Sequence, residues 1–157
     1  MNREDENGQF RKLQDKKEED KLAMNIERTF KNLILADFLV MLFLFAAFAF
    51  EPEEISKISD NLGTGVLGSI GSDWIFFTIL GGFVLIYYIN LILLYRFVYF
   101  AKTLFLILVV LGILLNLVSG PTVSGALAFT LELLDGVIQG AILVFLYFTP
   151  IKDKFIK

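Results

Sequence analysis

The most regular feature of the chain is the alternation of long apolar runs with short polar segments. Four runs, at about residues 32–50, 74–95, 99–119 and 124–149, consist almost entirely of aliphatic and aromatic side chains. A helix of ~20 residues is long enough to cross the hydrocarbon layer of a membrane. The runs therefore predict four transmembrane spans, packed as an all-α integral membrane four-helix bundle over residues 32–150.

The segment before the first run is highly charged and neutral overall. Residues 1–31 hold eight cations and eight anions. Residues 1–20 show little hydrophobic periodicity, which predicts a solvated, disordered tail. From about Lys21 onward, apolar side chains recur on one helical face, so the tail is expected to become helical toward its end. That helix is either a solvated extension of the first span, the commoner arrangement, or a docking site for a partner.

The segment between the first two runs, residues 51–73, is acidic and rich in glycine. It carries five acidic residues and one Lys. Ile55 and Ile58 fall on one face of a predicted short surface helix. The glycines between residues 63 and 71 indicate irregular backbone. We interpret the segment as an outer linker; a re-entrant loop, which would need cover from surrounding protein, is the alternative.

The positive charges are distributed asymmetrically about the four runs. Thirteen of the fourteen Lys and Arg residues lie before the first run, between the second and third, or after the fourth. Lys57 is the exception. Because cytoplasmic loops carry an excess of Lys and Arg, both termini are predicted to be cytoplasmic, with residues 151–157 forming a basic tail. The economy of the chain is typical of a bacterial inner membrane protein embedded in the lipid bilayer.

The composition excludes several classes of active site. The chain has 157 residues, of which 56% are hydrophobic, and a mean hydropathy of +0.69. It has no Cys and no His, which excludes disulfides, thiolate nucleophiles, Cys/His zinc sites and a Ser–His hydrolase mechanism. Cations and anions are interleaved, unlike a basic nucleic-acid-binding patch. We therefore expect no cofactor, no metal site, no nucleic-acid partner and no catalysis.

The last run carries the most informative polar residues. At 100° per residue, one face of its helix collects small and polar side chains, while the opposite face is aliphatic and aromatic. Its candidate residues are Gly125, Glu132, Asp135, Gly136 and Gln139. Gly136 and Gly140 also form a G-x-x-x-G pair, which permits close helix packing. Since a carboxylate in a span costs ~2.5–3.5 kcal/mol, this face is expected to point into the bundle. If the buried part is shorter, Glu132 instead lies near the outer interface.

Polar residues also occur inside the first two spans. Asp37 lies ~9 Å inside the cytoplasmic end of the first span, and Asn90 lies at a comparable depth in the second. Lys102 is the nearest plausible cation for Asp37. We predict Trp74, Arg96 and Lys102 to be anchors at the membrane interfaces.

Functions of different classes fit these residues. The favoured one is a non-catalytic accessory, scaffolding or complex-subunit role, in a homo-oligomer or a larger membrane complex, with the polar groups holding helices together. The alternative is a small proton- or cation-coupled transporter or channel, in which Asp37, Glu132 or Asp135 exchanges a proton or binds a cation beside Gln139. A carboxylate-only membrane enzyme is the least supported.

Overall fold

A computed structural model describes residues 3–50, 52–61, 73–119 and 123–155. This part of the chain is entirely helical and contains no strand. Its elements are α1 (Arg3–Ala49), α2 (Glu53–Asn61), α3 (Asp73–Tyr95), α4 (Ala101–Ser119), α5 (Ala126–Phe148) and a C-terminal 3₁₀ helix (Pro150–Phe155). The prediction of an all-α protein is confirmed.

Three of the helices are long and apolar enough to cross a membrane. They contain the segments Lys16–Ala49, Thr78–Tyr95 and Ala126–Phe148. The fourth helix of the bundle, α4, has a shorter apolar stretch, Ala101–Leu117. At 1.5 Å per residue its 19 residues extend ~28 Å, close to the ~30 Å of a bilayer hydrocarbon core.

Helix α1 is longer than the sequence pattern indicates. It begins at Arg3, so it includes most of the segment that we predicted to be disordered. Lys, Glu, Gln and Arg, which dominate this segment, are all good helix formers. Oppositely charged residues such as Lys16 and Asp20 also recur four positions apart, a spacing that stabilises a helix. Hydrophobic periodicity misses such a helix because all the described side chains from Gln14 to Asn25 are exposed.

Helix α2 occupies the first part of the predicted outer linker. Two glutamates, Glu53 and Glu54, lie in its first turn, where negative charge interacts favourably with the helix dipole. Ile55 is half-buried and Ile58 is exposed, as expected for a short surface helix. The glycine-rich part of the linker, residues 62–72, lies outside the described residues.

The four long helices form a ring in which each packs against two neighbours. Helix α1 packs on α5 and α3, α3 packs on α4, and α4 closes the ring against α5. The buried side chains recur at helical spacing, as in Phe30, Ile34, Asp37 and Val40 of α1. Large apolar side chains such as Leu85 and Val137 are 62% and 70% exposed. An apolar outer surface of this kind is suited to contact with lipid.

An aromatic cluster closes the end of the bundle at which α1 enters. It consists of Phe30, Phe97, Phe145 and Phe155. The Phe30 ring stacks on Phe97 at 5.9 Å and on Phe145 at 6.2 Å between centroids, and Phe97 meets Phe155 edge to face at 5.3 Å. Because Phe155 is buried, residues 150–155 are packed against the bundle and do not form a free tail.

Ion pairs surround this aromatic cluster. Glu27 accepts hydrogen bonds from Lys31, at 2.8 Å, and from Lys154 of the 3₁₀ helix. The two ammonium groups also lie over the Phe97 ring, at 5.3 Å and 5.6 Å from its centroid, within the range of a cation–π interaction. The contacts therefore connect α1, the α3–α4 turn and the C-terminal segment at one end of the bundle.

Candidate functional site

Two carboxyl groups from different helices meet inside the bundle. Asp37 of α1 is fully buried, and Asp135 of α5 is half-buried. Their side chains lie close enough to interact with each other. Asp37 occupies a position in the apolar stripe of α1, between Ile34 and Val40, and this stripe faces α5. We refer to Asp37 and Asp135 as the carboxyl pair.

Each member of the carboxyl pair accepts one hydrogen bond from a neutral side chain. The Tyr87 hydroxyl of α3 donates to Asp37 Oδ2 at 2.6 Å. The Gln139 amide, one turn along α5, donates from Nε2 to Asp135 Oδ2 at 2.6 Å. Tyr87 also contacts Gln139. Three helices therefore contribute to one buried polar cluster.

Three polar atoms of this cluster have no hydrogen-bond partner among the described residues. They are Asp37 Oδ1, Asp135 Oδ1 and the Tyr88 hydroxyl. Tyr88 also interacts electrostatically with both members of the carboxyl pair. A carboxylate only accepts hydrogen bonds, whereas a protonated carboxyl also donates one. The cluster thus has oxygen atoms available for a proton or a small cation.

The carboxyl pair lies far from both ends of the helices that carry it. Asp135 is ~14 Å along α5 from Ala126 and ~20 Å from Phe148, and Asp37 is ~18 Å from Ala49, at 1.5 Å per residue. In a membrane these distances place both groups inside the hydrocarbon layer, where ionisable side chains are rare and costly.

Glu132 is more exposed than the acidic residues of this cluster. Its side chain is exposed on α5, whereas Asp135 and Gln139 are half-buried. A separation of three residues turns the helix by ~300°, so the two acidic residues point in directions ~60° apart. Helical spacing alone groups them on one face, but the position of α1 determines which of them is covered.

Lys102 does not neutralise Asp37. Its ammonium lies over the Tyr147 ring, 4.8 Å from the centroid, and Tyr147 donates a hydrogen bond to the Lys102 carbonyl at 3.4 Å. The expected pairing of Lys102 with Asp37 is therefore wrong. Tyr87 supplies the contact to Asp37 instead.

Asn90 joins α3 to the first turn of α4. With its amide oriented to satisfy both groups, Nδ2 donates to the Ala101 carbonyl at 3.1 Å, and Oδ1 accepts from the Phe105 N–H at 3.2 Å. Asn90 is fully buried. These backbone contacts account for its polar atoms without a ligand, so its arrangement is that of a structural residue.

Within the described residues, Gly136 and Gly140 of α5 do not lie at a contact between helices. A Cβ atom added at Gly136 or Gly140 would meet no atom of the described structure within 4 Å. The G-x-x-x-G face is therefore open on the outside of the bundle. Gly125 immediately precedes α5 as its N-cap residue and is half-buried.

The predicted interface anchors lie at or near helix ends. Trp74 is in the first turn of α3, and its side chain lies outside the described part of the structure. Arg96 is exposed in the turn after α3, and Lys102 is half-buried in the first turn of α4.

An apolar groove of about 470 Å³ opens between α1 and α5, at the end of the bundle near α2. We call it the α1–α5 groove. Its wall includes Phe43 and Ala47 of α1, Ile55 of α2, and Ala128 and Leu131 of α5. Leu131 is one helical turn from Asp135, so the groove ends close to the polar cluster.

Sequence reasoning did not identify Tyr87 and Tyr88. Both lie in a charge-free apolar run, where aromatic residues are expected simply as lipid-facing or packing groups. Their hydroxyl groups are the one feature of the sequence that could have indicated a polar contact, because a tyrosine buried in an apolar environment usually needs a hydrogen-bond partner. That signal indicates a polar partner but does not say which helix provides it.

Within the described residues, no three acidic side chains are grouped so that they could hold a metal ion. The chain matches no known protein-family model, no curated protein and no solved structure.

Proposed function

We propose that the protein spans a bacterial inner membrane four times, with both termini in the cytoplasm, and that it is a small proton- or cation-coupled transporter or channel. In this proposal the ion binds at the carboxyl pair. The aromatic-cluster end of the bundle faces the cytoplasm, and the end near α2 faces outward.

The charge distribution supports this topology. Arg96, Lys102 and Lys154 belong to the same end of the bundle as Lys31 of α1, whereas Lys57 lies on α2 at the other end. Reporter fusions after Lys57 and after Lys157 should therefore report opposite sides of the membrane. Fusions that report the same side would contradict the four-span topology.

The observation that carries the transport proposal is the burial of two interacting carboxyl groups within the apolar parts of α1 and α5. An ionisable group at this depth costs free energy, and two on adjacent helices cost more because like charges repel. A hydrogen bond between uncharged side chains would join the helices with neither cost. Ion binding gives the two acidic residues a role that simple helix packing does not require.

Flux measurements on reconstituted protein test the transport proposal. Proteoliposomes containing the full chain should dissipate an imposed proton or alkali-cation gradient faster than empty vesicles. Asp37→Asn and Asp135→Asn should each reduce this flux at least tenfold. Glu132→Gln is the matched control, because it removes a carboxylate from the exposed face of the same helix and should retain the flux. Wild-type flux in both Asp variants would remove the carboxyl pair from the mechanism.

A second candidate function is the non-catalytic accessory or scaffolding role. The open face at Gly136 and Gly140 favours it, because small residues that no described helix covers leave room for a helix of another protein. Affinity purification in mild detergent, followed by native mass measurement, distinguishes the candidates. A stoichiometric partner favours the accessory role, and a chain that carries flux on its own favours transport.

A further inference from the structure

We infer that Asp37 and Asp135 share a single proton and exchange it with the outer compartment through the α1–α5 groove. This inference rests on the proposed function, which sets the side of the membrane from which the proton comes. It adds the identity of the ion at that site and the route by which the ion reaches it.

The charge balance of the carboxyl pair favours one bound proton. Asp37 is fully buried, its Oδ1 atom has no donor among the described residues, and the same is true of Asp135 Oδ1. Two negative charges that interact inside a bundle of apolar helices repel each other strongly. Binding one proton removes one of these charges. It also supplies a donor that can bond the two carboxyl groups to each other.

The described surroundings of the carboxyl pair provide no positive charge that would balance it. Helix α3 presents Tyr87 and Tyr88 to the pair, and α5 presents Gln139; all three are neutral. Of the described cations at the aromatic-cluster end, Arg96 and Lys152 are exposed and three others have contacts elsewhere. Lys31 and Lys154 contact Glu27, and Lys102 lies over Tyr147.

The number of oxygen atoms in the cluster favours a proton over a metal cation. A hard cation such as Ca²⁺ needs ~6–8 oxygen ligands. The buried side-chain oxygens of the cluster without a partner among the described residues are the two carboxyl Oδ1 atoms and the Tyr88 hydroxyl, which alone do not complete such a coordination shell. A proton needs only a donor oxygen and an acceptor oxygen, and the carboxyl pair provides both.

The α1–α5 groove provides the route by which the proton reaches the carboxyl pair. The α1–α5 groove reaches Leu131, ~6 Å along α5 from Asp135, and Phe43, ~9 Å along α1 from Asp37. Toward the opposite end, the pair is followed by tightly buried apolar side chains. Ile34 and Ile142 are 3% and 0% exposed, and beyond them lies the aromatic cluster. Water can therefore approach the pair more closely through the groove than from the cytoplasmic end.

Infrared difference spectroscopy of the full chain in lipid nanodiscs tests the shared proton. We expect a protonated-carboxyl C=O band that titrates with pH, shifts in D₂O, and is lost or displaced in both Asp37→Asn and Asp135→Asn. The band should persist in Glu132→Gln. Tyr88→Phe keeps both carboxyl groups and should shift the frequency of the band, which gives a second readout if an Asp variant does not fold.

Two results would overturn the shared proton. One is a band that survives unchanged in either single Asp variant. The other is a band that responds to added sodium or potassium at constant pH, which would identify a metal cation as the ligand. If the protein carries flux and its carboxyl band depends on sodium, the transport proposal stands and the proton is excluded as the bound ion. A pH-dependent band without flux would preserve the proton site and exclude transport.

Cysteine labelling tests the route, because the chain has no native Cys. In Ala47→Cys, a bulky maleimide attached in the groove should slow hydrogen–deuterium exchange of the carboxyl band by about tenfold. Leu117→Cys is the matched control, since this exposed residue is near the corresponding end of α4 and does not line the groove. Equal slowing at both positions, or no slowing at Ala47, would exclude the groove as the route.

Discussion

The hydroxyl of Tyr87 lies 2.6 Å from Oδ2 of Asp37, and this buried hydrogen bond joins α3 to α1 across 50 residues of sequence. Tyr88, the next residue, lies near the same carboxyl group, but its hydroxyl has no hydrogen-bond partner among the described residues. The two adjacent tyrosines therefore differ in their hydrogen bonding to the same carboxyl group, and they form a natural pair for mutagenesis.

Tyr87→Phe should destabilise the folded protein by ~1–2 kcal/mol, because it leaves a buried carboxyl oxygen without its donor. The change should appear as a lower midpoint in reversible unfolding in detergent–SDS mixtures. Tyr88→Phe removes a hydroxyl without breaking a described hydrogen bond, so its midpoint should stay within ~0.5 kcal/mol of wild type. Equal losses in the two variants would show that the Tyr87–Asp37 bond does not contribute specifically to stability.

The turn between α3 and α4 contains a residue in the left-handed backbone region. Phe97 has a φ of 57°, which costs a residue with a side chain ~1–2 kcal/mol. Phe97→Ala keeps this cost and loses the ring contacts to Phe30 and Phe155, so it should be strongly destabilising. Phe97→Gly loses the same contacts but relieves the backbone, so it should be ~1 kcal/mol more stable than Phe97→Ala. The two unfolding midpoints measure this difference, and an Ala variant at least as stable as the Gly variant would contradict it.

Glu27 holds the C-terminal 3₁₀ helix through its contact with Lys154. Glu27→Gln should therefore increase amide hydrogen exchange in residues 150–155, by up to about fivefold, because a partly exposed ion pair contributes at most ~1 kcal/mol. High salt should produce a similar increase in the wild type by screening the charges. Glu53→Gln removes an analogous but more exposed pair with Lys57 and should leave residues 150–155 unchanged. Unaltered exchange in Glu27→Gln would show that Ile151 and Phe155 hold the segment without the ion pair.

The open glycine face can be separated from the fold of the monomer. Gly136→Leu should leave the unfolding midpoint within ~0.5 kcal/mol of wild type, since a Cβ there meets no described atom within 4 Å. If the accessory role holds, the same change should reduce crosslinking to the partner. Gly112 is the contrasting position, because a Cβ there would already contact the Phe83 ring at 3.9 Å and a Leu side chain has less free space than at Gly136. A Gly136→Leu variant that unfolds as easily as Gly112→Leu would contradict an open face.

The sequence predicts the helices of the bundle well and the composition of the polar cluster only in part. Long apolar runs specify where α3, α4 and α5 lie, because burying a backbone in lipid requires a helix. The helix over residues 3–20 is not predicted, since its charged side chains carry no hydrophobic periodicity. The pattern of apolar residues predicts which segments can be buried in lipid. It does not predict helices that are stabilised mainly by helix propensity and by the spacing of charges.

The residues of the cluster show a further limit. Asp37, Asp135 and Gln139 stand out in the sequence because polar groups in apolar runs are costly. Their meeting could not be predicted, because it depends on which faces of α1 and α5 pack together. For the same reason, helical spacing groups Glu132 with Asp135 and makes Lys102 the nearest plausible cation for Asp37, yet the packing leaves Glu132 exposed and places Lys102 over Tyr147.

The continuity of α1 has a mechanical consequence. The helix runs unbroken from Arg3 to Ala49, a rod of ~70 Å, and Asp37 lies on the same rod as the charged stretch that precedes the bundle. Any tilt or rotation of the rod that accompanies a change at Asp37 is carried without a hinge to its far end. A small tilt of the helix at Asp37 therefore becomes a larger displacement at its Arg3 end.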